Sequence, residues 1–127
     1  MKLIIGGYAQ GKLHYVIQRY SPESYVVMDG VLPEDNNESG GTVVINHFHN
    51  WVRAGIAEGK CPEKDMASFL ERHPDCIIIS DEIGNGIVPP DGFEREYRER
   101  TGRMLVELAD RAEEVVRVIC GIGQKIK

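Results

Sequence analysis

Residues 3–13 read Leu3-Ile4-Ile5-Gly6-Gly7-Tyr8-Ala9-Gln10-Gly11-Lys12-Leu13: an apolar run, a glycine-rich turn, then a lysine. The apolar residues predict a buried strand, and the glycines end it. Gly-x-x-x-x-Gly-Lys between a strand and a helix over residues 12–20 is the pattern of a phosphate-cradling loop. Glycines let backbone N–H groups converge on an anion, the helix start adds a favourable dipole, and Lys12 reaches the outer phosphates. Gly6, Gly7, Tyr8, Ala9, Gln10, Gly11, Lys12 and Leu13 are the expected phosphate-binding segment. Ser or Thr normally closes this pattern and its hydroxyl ligates Mg²⁺; here Leu13 has no ligand atom. The motif is complete for an anion and incomplete for metal-assisted transfer. A plainer alternative is a glycine-rich turn with a surface lysine, but the flanking strand and helix favour the cradle.

Outward from that loop, short β-branched runs alternate with longer helical patterns. Residues 3–5, 25–28, 42–45, 76–79 and 115–119 are nearly continuously apolar, as strands buried on both faces are. Helices are expected over 12–20, 49–58, 63–73 and 93–114. In the last, Phe93, Tyr97, Met104, Leu105, Leu108 and Ala112 form an apolar stripe. Glu94–Arg98, Glu96–Arg100, Glu99–Arg103 and Glu107–Arg111 are acid-before-base pairs on its outer faces. The alternation predicts a parallel sheet with helices on both sides. Residues 31–41 and 84–91 read as loops.

Two further groups carry possible chemistry. Ile77-Ile78-Ile79-Ser80-Asp81-Glu82 is a strand ending in two carboxylates. An acid there can hold Mg²⁺ through water or take a proton from a nucleophile; solvated turn residues are the bland reading. His47 and His49 flank Phe48 after the 42–45 strand. In extended backbone, side chains two apart point the same way and can share a metal. With no third ligand evident, polar residues at the sheet edge or a helix cap is the simpler view.

Composition narrows the class. At 127 residues the chain is expected to be a single domain over 1–127, long enough to bury about two-thirds of its unfolded surface. Its net charge of −5 argues against a nucleic-acid partner, which requires a basic face. No apolar run approaches the roughly 18 residues of a membrane span. Cys61, Cys76 and Cys120 are an odd number without Cys-x-x-Cys spacing, so a disulfide framework is not expected and a cytoplasmic location is.

The C-terminal third carries a resemblance. Asp81-Glu82-Ile83-Gly84-Asn85-Gly86-Ile87-Val88-Pro89, then Tyr97-Arg98, Gly102-Arg103, Ala109-Asp110, Gly121-Ile122-Gly123 and Lys125 resemble the adenosylcobinamide kinase/adenosylcobinamide-phosphate guanylyltransferase family of cobalamin biosynthesis. Gly6, Gly7, Gly11 and Lys12 match that family's Gly-Gly-x-x-Ser-Gly-Lys-Ser loop. The resemblance implies an α/β fold: a RecA-like P-loop NTPase domain of three layers around a mainly parallel sheet, often trimeric. It implies ATP or GTP with Mg²⁺, and a corrinoid acceptor whose aminopropanol hydroxyl is phosphorylated. GMP transfer through a guanylylated histidine follows in the family.

The departures from that pattern are specific. Gln10 replaces the loop serine, Leu13 replaces the hydroxyl, and Asn46 or His47 stands where the family has a carboxylate. Leu105-Val106 or its neighbours stand at the family's Asn-Gln pair, and residues 29–41 contain no histidine to guanylylate. The expected function is therefore a nucleotide-dependent corrinoid kinase homologue without the guanylyl step. The alternative is a non-catalytic nucleotide- or anion-binding module from the same family. In the first reading Lys12 holds phosphates, and Glu82 or Asp81 accepts a proton or acts as an outer metal partner. Gly84, Asn85, Gly86, Val88 and Pro89 would then contact nucleotide or substrate.

Overall fold

Alternate residues of each central strand face opposite ways, and the sequence places apolar side chains at both. Leu3, Val43, Ile45, Ile78 and Val115 lie in one buried cluster, and Ile4, Val44, Ile77, Ile79, Val116 and Val118 in another. A sheet greasy on both faces needs helices on both, and three layers result. The computed structural model describes residues 1–34, 41–84 and 90–127. In chain order its elements are β1 (Lys2–Gly6), α1 (Lys12–Ile17), a 3-10 turn (Pro22–Ser24), β2 (Tyr25–Asp29), β3 (Thr42–Asn46), α2 (Phe48–Ala57), α3 (Pro62–Arg72), β4 (Ile77–Asp81), α4 (Gly92–Arg111), β5 (Glu114–Ile119) and β6 (Ile122–Lys125).

The sheet order is β2-β3-β4-β1-β5-β6. The first five strands run parallel and β6 returns antiparallel to β5. Phe48 and Val52 of α2, Met66 and Phe69 of α3, and Tyr97, Met104 and Leu108 of α4 fill one face. Val16, with the half-buried Leu13 and Tyr15, covers the other from α1. Ile78 and Val44 are fully buried, each worth about 2 kcal/mol of transfer free energy. Parallel strands end on one edge. The register pairs Gly6 with Asp81 and Asp29 with Asn46, so the last residues of four strands share that edge.

Several boundaries differ from expectation. The helix expected over 93–114 stops at Arg111. Ala112 turns extended (φ −65°, ψ 140°), and the Glu113 N–H donates to the Met1 carbonyl at 3.0 Å, drawing Glu114 into β5 beside Lys2. The first helix stops at Ile17 rather than residue 20, and Pro22 opens the 3-10 turn soon after. The other two are displaced by one residue, to Phe48–Ala57 and Pro62–Arg72. Strand β6 is not anticipated. It forms because Cys120 and Gly121 both take positive φ (49° and 75°), giving a two-residue hairpin that pairs Ile119 with Ile122. Gly123 in β6 packs under the Tyr15 ring, where a Cβ would lie 2.2 Å from a ring carbon.

Salt bridges on α4 follow the expected helical spacing only in part. Glu96–Arg100 (3.1 Å) and Glu99–Arg103 (2.7 Å) form. Glu94 instead meets Arg53 of α2. Arg100 makes its closest contacts with Glu63 of α3, two bonds of 2.8 Å. Among the described residues no helix is long and apolar enough to cross a membrane.

Candidate functional site

The β1–α1 connection is built for backbone exposure. Gly6 has no room for a side chain, since a Cβ would sit 2.5 Å from the Val118 carbonyl of β5. Gly11 is left-handed (φ 83°), and so is Ala9 (φ 53°), an uncommon conformation for alanine. Apart from the hydrogen-bonded turn at Tyr8 and Ala9, the backbone N–H groups of residues 7–14 have no protein acceptor among the described residues. A run of unsatisfied donors around a cation is a ready anion site. The α1 helix has only six residues, so the amides and Lys12 carry this argument rather than a helix dipole. Gln10 braces the loop from outside. Its Oε1 accepts from Cys120 N–H and its carbonyl accepts from Gly121 N–H, both at 2.8 Å.

Lys12 does not extend into solvent. Its ammonium donates to the Gly7 carbonyl at 2.6 Å and pairs with Asp81 Oδ1 at 2.7 Å. His49, in the first turn of α2, buttresses the carboxylate from behind. The Asp81 N–H donates to His49 Nδ1 at 3.1 Å, so the neutral ring carries its proton on Nε2, which lies 3.4 Å from Asp81 Oδ2. Burial pushes the His49 imidazole pKa down, and nearby Asp81 opposes that shift. Ser80, fully buried, donates to the Asp81 carbonyl at 3.0 Å.

On the far side of the same edge, His47 Nδ1 lies 2.5 Å from Asp29 Oδ1. Asn46 Nδ2 donates to that oxygen at 3.2 Å. The extended backbone assumed for the two histidines is not present. His47 is left-handed (φ 53°, ψ 47°) before α2, and His49 lies within the helix. Their rings meet at near right angles, 5.7 Å between centroids. Among the described residues no three His, Cys, Asp or Glu side chains converge as a metal site.

These groups line a cleft of about 360 Å³, with residues 8–14 on one wall and Asn46, His47, His49, Ile79, Ser80 and Asp81 on the other. The predicted segment Tyr8, Ala9, Gln10, Gly11, Lys12 and Leu13 and the carboxylate Asp81 thus come together. Glu82 does not join them. Arg117 grips it with bonds of 2.6 and 3.1 Å, and its N–H donates to the Gly6 carbonyl. Gly84 is exposed with φ 111°, while Asn85, Gly86, Val88 and Pro89 lie outside the described residues. Asp29, His49 as a prop and the Gln10 brace were missed in the sequence. Aligning the last residue of each strand would have found Asp29.

A polyphosphate fits the free amides and Lys12. An inner-sphere Mg²⁺ does not fit: Leu13 offers no oxygen, and both Asp81 oxygens face Lys12 or His49. The family described as cobinamide kinase/cobinamide phosphate guanyltransferase matches residues 23–126. The chain belongs to this family. The matched span starts beyond the glycine loop. The bifunctional adenosylcobalamin biosynthesis proteins CobU of Salmonella typhimurium and Escherichia coli are each 43% identical to it over 51 residues, 40% of this chain. The chain spans 28% of the length of these curated relatives.

Proposed function

We propose that this chain is a P-loop nucleotide-binding domain that acts as a corrinoid kinase homologue in adenosylcobalamin biosynthesis. It would transfer the terminal phosphoryl group of ATP or GTP to a cobinamide hydroxyl, without the guanylyl step. The observation that supports it is the set of amides in residues 7–14 that, outside the Tyr8–Ala9 turn, lack protein acceptors and surround a buried lysine. In this reading the amides and the Lys12 ammonium hold the phosphates. Asp81 and the Gly7 carbonyl park that ammonium at the cleft before the anion arrives. Glu82 ties β4 to β5 through Arg117 and stays outside the chemistry. Mg²⁺ would enter with the nucleotide.

Calorimetric titration of ATP and GTP, each with and without Mg²⁺ and cobinamide, tests the reading. Lys12→Ala should weaken nucleotide binding about 10- to 100-fold, the worth of one charge-assisted hydrogen bond, and abolish turnover. A wild-type chain that binds neither nucleotide refutes it. Leu13 and the saturated Asp81 favour a second reading, a nucleotide- or anion-binding module without transfer. Affinity indifferent to Mg²⁺, with no phosphorylated cobinamide, selects that one. A cytoplasmic location and a family-type trimer belong to the same proposal; sedimentation of the pure chain checks the trimer.

A further inference from the structure

We propose that His47, held by Asp29, is the general base of that phosphoryl transfer. The inference rests on the kinase reading above and adds the group that accepts the proton.

An ionised carboxylate can only accept hydrogen bonds, so the 2.5 Å contact with Asp29 Oδ1 puts the His47 proton on Nδ1. The lone pair of the neutral ring is then on Nε2. Among the described residues Nε2 has no protein partner, and the ring lines the same cleft as Lys12 and the glycine loop. Asn46 steadies Asp29 by donating to the same oxygen. A carboxylate that fixes the tautomer and a ring nitrogen left open is the arrangement a histidine base needs.

The backbone points the same way. His47 is left-handed, and its side chain does not cap α2. Such a conformation is uncommon in a residue other than glycine, and although the His47 carbonyl accepts the Asn50 N–H at 3.0 Å, the side chain adds nothing to the helix start. What it achieves is to set the ring between Asp29 and the cleft.

The other acceptors lining the cleft are occupied, and Glu82 lies outside it. His14 Nε2 takes an N–H from the Gln18 amide at 2.8 Å. Asp81 is shared by Lys12 and His49, and His49 takes an N–H on Nδ1 and carries its own proton on Nε2. Glu82 is clasped by Arg117.

In the step, the acceptor O–H bond breaks and its proton passes to His47 Nε2. The freed oxygen bonds to the terminal phosphorus. The bond from that phosphorus to the bridging oxygen breaks, and its electron pair leaves with the nucleoside diphosphate. Water then takes the proton from His47. Asp29 of β2 favours the imidazolium. Lys12 of α1 opposes it across the cleft, as does His49 of α2 when charged; Asp81 of β4 offsets Lys12, and Asn46 of β3 is neutral.

The test is kcat against pH with ATP and cobinamide for the wild type, His47→Gln, His47→Asn and Asp29→Asn, with ATP affinity measured calorimetrically for each. Both His47 variants should lose about 100-fold in kcat near neutral pH and lose the acid limb of the profile, with ATP affinity retained. Asp29→Asn, which leaves the ring free to take either tautomer, should lower kcat with ATP affinity retained. Folded His47 variants that keep the acid limb, whatever their kcat, overturn the proposal and leave the kinase reading standing. A wild type that phosphorylates nothing overturns both.

Discussion

Asp81→Asn keeps the shape of the side chain and removes its charge, so it isolates what the carboxylate does for Lys12. The two groups are 8% and 16% exposed and 2.7 Å apart. At an effective dielectric of about 20 their gross attraction is about 6 kcal/mol, and desolvation cancels much of it. Breaking a buried pair by removing one partner costs about 3–5 kcal/mol. Here the Gly7 carbonyl at 2.6 Å still accepts from the ammonium, which brings the expected loss to about 2 kcal/mol, or about 8 °C in Tm for a domain this size. A polyphosphate supplies the missing negative charge. ATP should therefore bind Asp81→Asn about 10-fold more tightly than wild type, a difference of about 1.4 kcal/mol, and recover most of the lost Tm. Thermal unfolding with and without ATP, paired with calorimetry, reads both effects. If Asp81→Asn melts at the wild-type temperature, or binds ATP more weakly, then the carboxylate does not hold the lysine in the way argued.

Three further outcomes follow from the geometry. Gly6→Ala drives a Cβ to 2.5 Å from the Val118 carbonyl, and because backbone must move to relieve it, the cost should be about 3 kcal/mol in urea unfolding; a loss under about 0.5 kcal/mol would show that β5 yields freely. Arg100 holds the Glu63 carboxyl pKa down to about 2 from 4.5, so the stability this pair adds is complete above pH 4.5 and disappears as pH falls toward 2. As Glu63 is about one-third exposed, that term is about 1 kcal/mol, and Arg100→Met should flatten this part of the acid-unfolding curve. Burial pushes the Cys76 thiol up to about 11, whereas Cys61 and Cys120 are exposed; a thiol reagent at neutral pH should label two cysteines quickly and the third only on unfolding, and rapid labelling of Cys76 would contradict its burial.

Five of the six described strands were legible because strands covered on both faces leave an unbroken apolar signature. Each of the first four was read a residue or two short at its C-terminal end, since Gly6, Asp29, Asn46 and Asp81 are not apolar. Two of those unread ends, Asn46 and Asp81, line the cleft, while Gly6 opens the glycine loop and Asp29 meets His47. Strand β6 escaped because an exposed edge strand of Ile122-Gly123-Gln124-Lys125 has neither alternation nor an apolar run, although a glycine between Ile119 and Ile122 was a hairpin signal. The extension of the last helix to residue 114 came from continuous acid and base patterning, which cannot register a backbone turn made to reach Met1. The sequence alone favours Glu82 over Asp81. Register separates them: Asp81 is the residue paired with Gly6, and the next side chain points to Arg117.

Gln10 and Cys120 stand 110 residues apart. On a ribosome adding about 5–20 residues per second, the glycine loop would wait about 5 to 20 s after its own synthesis for the hairpin that steadies it. Until then β1 also lacks β5, and Lys12 would be an ordinary mobile side chain. Capacity to hold an anion would then switch on late and abruptly in biosynthesis, only once the sheet around the loop had closed.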